Sequence, residues 1–223
     1  ASAAARAEDY SDFGSQVTGK ISLRYDFTES FALRGTASTG FRAPGLQQSF
    51  FTSTATNFIG GVPFEVGTFP PTSPVARALG AKPLEPEESE NFSLGAVFRR
   101  GAFDGTVDIY QINIDDRIVL SENLGGTPAI DALLQPFGIG RARFFINGVN
   151  TEPQGIDAVV HYLLNTGAAG RWDFTLSANW NSTDVKKLPA TNVIPQGGVL
   201  FGRINVLTFE EGTPYYEAMK RGA

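Results

Sequence analysis

The feature that most constrains this chain is an apolar–polar alternation of period two, repeated along most of its length. Residues 17–27 place Val17, Ile21, Leu23, Tyr25 and Phe27 at odd positions, and Thr18, Lys20, Ser22, Arg24 and Asp26 at even ones. Successive side chains of an extended chain point to opposite faces, so such a segment is a strand with one apolar and one polar face. Residues 31–42 repeat the pattern with Phe31, Leu33, Ala37 and Phe41 against Arg34, Thr36, Ser38 and Arg42. Residues 91–99 carry Phe92, Leu94, Ala96 and Phe98 on one face, and residues 155–164 carry Ile156, Ala158, Val160, Tyr162 and Leu164. The clearest case is 171–181, where Trp172, Phe174, Leu176, Ala178 and Trp180 alternate with Asp173, Thr175, Ser177, Asn179 and Asn181. In 103–118 the phase is mixed. Phe103, Val107 and Ile109 share one parity and Tyr110, Ile112 and Ile114 the other, so either a β-bulge lies near 109–110 or the strand leaves its apolar environment there.

Composition narrows the class. The 223 residues hold no cysteine and one histidine, His161, which excludes a disulfide scaffold, a cysteine zinc site and a multi-histidine metal centre. A net charge of −5 argues against a nucleic-acid partner. No apolar run is long enough for a transmembrane helix. A mean hydropathy of −0.09 nevertheless suits a transmembrane β-barrel, whose two faces average to near zero. Ala1 to Ala7 has neither a basic lead nor a continuous apolar core, so no cleavable signal is expected there.

Connections alternate in length. Short ones are expected at 28–30, 100–102 and 165–170, and long ones at 43–87, 119–140 and 184–203. Aromatics bracket the strands. Tyr25, Phe27, Phe31, Phe98, Phe103, Tyr162 and Trp172 lie beside the short turns, while Phe41, Phe92 and Trp180 lie at the opposite ends. Phe31 to Phe41 spans roughly 33 Å of strand at about 3.3 Å per residue. Tilted by about 40°, that covers the roughly 25 Å apolar band of an outer-membrane barrel. A soluble β-sandwich also alternates, but its strands are shorter and its aromatics do not sort by strand end. The expected fold is all-β: an antiparallel up-and-down transmembrane barrel, partial, with about seven to eight strands of a larger one. Long loops lie on one side and short turns on the other.

Two segments resemble those of TonB-dependent outer-membrane receptors. One is Phe31-Ala-Leu-Arg-Gly-Thr-Ala-Ser-Thr-Gly-Phe-Arg-Ala-Pro44 followed by Leu46-Gln-Gln48, and the other is Leu84-Glu-Pro-Glu-Glu-Ser-Glu-Asn-Phe-Ser-Leu-Gly95. Phe103 to Leu120 and Gln154-Gly-Ile-Asp157 also resemble the family's barrel strands, and the likeness runs to about residue 212. The resemblance implies a 22-stranded barrel closed by an N-terminal plug in the outer membrane of a Gram-negative bacterium. It implies import of a scarce nutrient such as a siderophore, cobalamin or oligosaccharide. The partners would be that small-molecule ligand, outer-membrane lipid and the TonB complex, engaged through the plug and its TonB box. By this reading residues 1–223 are a barrel segment without plug, box or terminal strands, the chain ending in Met219-Lys-Arg-Gly-Ala223, and 43–87 is a long extracellular loop within it.

Several residues stand out as candidates. Lys20, Arg24, Arg34, Asp173 and Asn179 are expected to face the lumen or plug. Matching the apolar faces of the hairpin at 28–30 sets Arg24 opposite Arg34, which calls for an anion; Asp26 is a diagonal neighbour and the plug another source. In the long loop, Arg42, Gln47, Gln48, Phe50 and Phe51 are candidate ligand contacts, because exposed aromatics on a long loop suit capture. Of the loop's five aromatics, Phe50, Phe51, Phe58, Phe64 and Phe69, most are expected to pack against one another and stabilise the loop. Glu85, Glu87, Glu88 and Glu90 form an acidic cluster without calcium-loop spacing, so no metal is assigned. Asp115, Asp116 and Arg117 are expected to make local turn and ion-pair contacts, and His161 to be a structural residue on the lumen side. No nucleophile elbow or P-loop is present, and neither catalysis nor a cofactor is expected. A passive porin-like diffusion channel and a soluble β-rich binding or adhesin domain are the alternatives.

Overall fold

The computed structural model describes residues 1–59, 61–167 and 170–202. A further stave and the 219–223 end, expected from the sequence, lie outside them. In chain order the elements are β1 (Ser2–Tyr10), β2 (Gly14–Thr28), β3 (Phe31–Arg42), α1 (Leu46–Phe50), β4 (Ser53–Ile59), β5 (Val62–Phe69) and α2 (Pro74–Ala78). They continue with β6 (Glu87–Arg100), β7 (Phe103–Leu120), α3 (Pro128–Leu134), β8 (Ala142–Asn165), β9 (Arg171–Lys187) and α4 (Gly197–Leu200).

Among the described residues, nine strands form one sheet that does not close. Its order is β1-β2-β3-β6-β7-β8-β5-β4, with β9 also paired to β8. Seven of these strands are the staves of the expected meander. The other two, β4 and β5, are a hairpin inside the connection between β3 and β6, and β5 pairs in parallel with β8 through Gly67–Phe69 against Ala142–Phe144. Hydrophobic alternation cannot announce such a pairing, since strand order depends on contacts far apart in sequence. The first stave was also hidden. Its apolar positions Ala3, Ala5 and Ala7 face Ile21, Gly19 and Val17, and alanine on both parities leaves no contrast to read. The connection from β1 to β2 is short, residues 11–13, although it lies at the end of β2 where the other connections are long. Gly14, at φ 83°, completes this turn in a conformation that residues with a Cβ rarely adopt.

The β2/β3 register is as the alternation demands. Ser22 faces Thr36, Leu23 faces Gly35 and Arg24 faces Arg34, with a shift only beside the turn, at Asp26/Thr28. The mixed phase in 103–118 has the second of its two explanations. One uninterrupted strand, β7, keeps Val107, Ile109 and Gln111 exposed, and Tyr110 joins the opposite face. Its backbone exception comes later, at Asp116 (φ 49°).

The chain divides into two compact units, 1–41 with 89–113 and 152–184, and 42–88 with 114–151 and 185–223. They obey different physics. In the first, Ala32 is the one buried apolar side chain among the described residues, while Leu23, Leu94, Ile109, Trp172, Leu176 and Trp180 are all exposed. This unit is a two-faced sheet without a core of its own. The second has an ordinary hydrophobic core: Leu79, Leu124, Leu134, Phe144, Val149 and Leu200 are fully buried, with Phe69 packed against them. Two of its helices, α2 and α3, start on side-chain caps. Ser73 accepts from the Ala76 N–H (3.2 Å) ahead of Pro74, and Thr127 accepts from the Ile130 N–H (3.4 Å) ahead of Pro128. The long connections are therefore packed structure. Phe144→Ala should destabilise the second unit by about 3–5 kcal/mol, the usual cost of emptying a buried phenylalanine site. Faster limited proteolysis of residues 114–151, with the rest of the chain still resistant, is the expected result.

Candidate functional site

Three groups of residues carry chemistry. The first is the polar face of the staves. Ser22 and Thr36 hydrogen-bond across the strands at 3.2 Å. Arg24 is held at 2.8 Å by Asp26, two residues along the same strand and diagonal to Arg34, the anion expected beside the arginine pair. Arg34 finds its anion elsewhere, on Asp108 two strands away at 2.6 Å. That bridge crosses β6 at Gly95, where a Cβ would run into the Asp108 carboxylate and lie 2.9 Å from Arg34 Nε. The sequence reading missed Asp108, because a partner reached over an intervening strand leaves no local signal. Further along, His161 lies between Asp104 (3.1 Å from Nδ1) and Asp173, which contacts Nε2, so one side chain joins β7, β8 and β9. Asn179 donates to Asp157. Four of the five expected lumen-facing residues, Arg24, Arg34, Asp173 and Asn179, thus sit in ion pairs or hydrogen bonds of this face. Lys20 faces Ser38 on the neighbouring β3 and is exposed.

The second group is a clasp at the ends of β3 and β6. Glu87, 6% exposed, receives the Arg42 guanidinium through both carboxylate oxygens, with Nε at 2.8 Å, and also accepts the Ile118 N–H at 2.7 Å. The Glu87 carboxylate raises the Arg42 pKa above its ordinary value. Beside it, Asn91 donates to the Ser38 carbonyl (3.3 Å), and a Cβ on Gly40 would lie 3.0 Å from Ser89 Oγ. The Gly40-Phe41-Arg42 segment and the Pro86-Glu87-x-Ser89-x-Asn91 segment, distant in sequence, are thus two halves of one structure. Of the acidic cluster, Glu87 is spent on this clasp, and Glu85, Glu88 and Glu90 are exposed. No acid–histidine group among the described residues is arranged to hold a metal.

The third group lies on the connection after β3. Phe50 and Phe58 are 69% and 74% exposed, and Phe51 is exposed too. Among the described residues none of these rings stacks on another. Phe64 instead lies under the Arg141 guanidinium at 4.6 Å, and Phe69 joins the core. Gln48 accepts from the Gly45 N–H (2.9 Å) and so caps α1, while Gln47 is exposed. The expectation of local contacts for Asp115–Arg117 is corrected: Asp115 accepts from Asn150, Asp116 N–H donates to Asn150 (3.2 Å), and Arg117 donates to Thr151 (3.2 Å), all across to β8.

The chain belongs to the TonB-dependent receptor family: the model described as "TonB dependent receptor-like, beta-barrel" matches residues 1–212. No curated protein matches the sequence. Solved structures similar to it include the siderophore receptor PirA from Pseudomonas aeruginosa, with a TM-score of 0.56 at 19% identity over 81% of this chain and 31% of that one. A mutant of the ferric enterobactin receptor from the same organism, in complex with enterobactin, gives 0.56 at 14% identity over 81% and 24%. The copper transporter OprC gives 0.50 at 15% identity over 79% and 22%. At these identities the likeness is one of fold, and the chain spans a third or less of each of these proteins.

The clasp makes a specific expectation. Glu87→Ala leaves the Arg42 cation and the Ile118 N–H without their acceptor, and should cost on the order of 2 kcal/mol. Glu87→Gln, which still accepts from Ile118, should cost less. Thermal unfolding of the full-length receptor, followed by heat-modifiable mobility, separates the two.

Proposed function

We propose that this chain is the barrel segment of an outer-membrane receptor that captures a scarce small nutrient and imports it with energy delivered by the TonB complex. The nutrient is of the siderophore, cobalamin or oligosaccharide class. The observation that carries the reading is the two-faced sheet of the first unit. One face is continuously apolar and exposed, as with Leu176 at 72%, and the other pairs its charges. An apolar face of that extent is unfavourable in water and suits hydrocarbon, whereas paired charges suit a wet or protein-filled lumen. The family match, and similarity to structures titled as siderophore receptors and a copper transporter, support transport over catalysis.

On this reading Leu23, Ala37, Leu176 and Ala178 face lipid in the outer membrane, and Lys20, Arg24, Arg34, Asp173 and Asn179 face the lumen and plug. Residues 43–87 stand outside the cell. Phe50 and Phe51, with Gln47 beside them, form the capture surface. Arg42 serves it by fixing the loop's stem to Glu87, and Gln48 by capping α1. TonB acts through the plug and box of the whole receptor.

Leu176→Arg should cost about 2–4 kcal/mol and damage assembly, because hydrocarbon cannot solvate the charge, while Ser177→Arg, one residue along, should largely be tolerated. Brominated-lipid quenching should reach Trp172 and Trp180 in the reconstituted receptor; absence of quenching at both would contradict the lipid-facing assignment. For import, Phe50→Ser with Phe51→Ser should lower uptake from a limiting panel of ferric siderophores, cobalamin and oligosaccharides while leaving assembly normal. Point changes are the right probe, because a deletion through 50–70 would remove the β5 pairing with β8. Equal uptake in cells lacking TonB would instead favour a passive channel.

A further inference from the structure

The second unit contains a cavity of about 520 Å³ that none of the three groups above uses. Four separated stretches build it: 80–85 after α2, Asp116 of β7, 146–148 of β8, and 187–192 from the end of β9 onward. Its walls are preorganised. Asn147 donates to the carbonyls of Glu85 (2.8 Å) and Asp116 (2.7 Å) and accepts from the Glu85 N–H (2.9 Å), which engages both its N–H groups and its oxygen. Thr191 is tied to the Leu79 carbonyl at 3.3 Å and accepts the Ile194 N–H at 2.8 Å. Asp116 holds φ 49°, a left-handed conformation in the middle of a long strand, and such strain gathers where a surface is shaped to clamp something.

The polar groups left over define the chemistry. Lys82 and Glu85 line the cavity, and neither side chain has a partner among the described residues. Lys187 and Asp116 line it as well, as an ion pair at 3.7 Å that is longer than a hydrogen bond and half exposed on both sides, which leaves each able to take a ligand group. Two cations and two anions on one wall system sum to no net charge, so a plain anion or plain cation would meet as much repulsion as attraction. A molecule with both charges meets attraction at each end. The volume fits a small molecule. We propose that this cavity binds a small zwitterion of the amino-acid or short-peptide class, its carboxylate towards Lys82 and Lys187 and its ammonium towards Asp116 and Glu85. The site concerns capture, and rests on the receptor reading only for whatever import follows.

The test uses the full-length receptor in detergent and saturation-transfer NMR with glycylglycine as probe. Glycylglycine should bind, and its N-acetyl and C-amide derivatives, each lacking one charge, should bind roughly tenfold more weakly. Lys82→Gln and Asp116→Asn should each weaken glycylglycine by a similar factor. Asparagine tolerates the left-handed backbone of Asp116, and Lys82 is exposed, so both variants should retain the heat-modifiable fold. Equal binding of the capped derivatives, equal binding of sorbitol, unchanged affinity in both variants, or no glycylglycine signal would each overturn the proposal. Binding without uptake would leave the site standing and count against import. TonB-dependent uptake of another nutrient by a receptor that ignores glycylglycine would do the reverse.

Discussion

The carboxylate of Glu87 is the interaction on which the strand-to-connection architecture turns. Where β3 gives way to the longest connection and β6 returns from it, one nearly buried anion gathers the Arg42 guanidinium and the Ile118 amide. A buried carboxylate is tolerable only when its lone pairs are matched, and here a charge-assisted fork and a backbone donor match them. The arrangement fixes where the excursion leaves and re-enters the sheet. With both ends set, the intervening residues can fold as α1, the β4–β5 hairpin and α2 instead of wandering as a coil. Loop closure costs little more for a long loop than for a short one once its ends are held, so the length of the excursion is affordable.

The two units stabilise themselves by opposite means. In the first, backbone ladders satisfy the polar main chain, charges pair on one face and the apolar side chains point outward, an arrangement that suits hydrocarbon as the surrounding solvent. Glycines serve this face at chosen points: Gly95 clears a path for the Arg34–Asp108 bridge, and Gly155 makes room for the Tyr110 ring. In the second, leucine, isoleucine and phenylalanine turn inward around Phe144 in the manner of a water-soluble domain. A single strand such as β8 contributes residues to both units.

His161 shows how far parity reasoning reaches. Its odd position was enough to put it on the face opposite Tyr162, and it stands there. Parity could not disclose that Asp104 and Asp173 flank it, one on each neighbouring strand, because register between strands is a matter of pairing. Arg42 is the complementary case. A guanidinium at the mouth of a long loop reads as a ligand contact, and its partner Glu87 stood in an acidic run that gave no sign of which member would turn inward.

What the sequence by itself determined is what depends on local geometry. The period of two set the strands and sorted their faces, and the parity rule set Arg24 against Arg34. Two short motifs were enough to point to the family. Only the tertiary structure decided the rest: that the excursion after β3 adds a parallel strand to β8, that three long connections share one core, that Arg34 is answered by Asp108 across Gly95, and that the two motifs clasp each other. The physical reason is the range of the interactions. Side-chain alternation is written residue by residue into the extended backbone, whereas strand order, a shared core and a salt bridge across an intervening strand exist only once distant segments have been brought together.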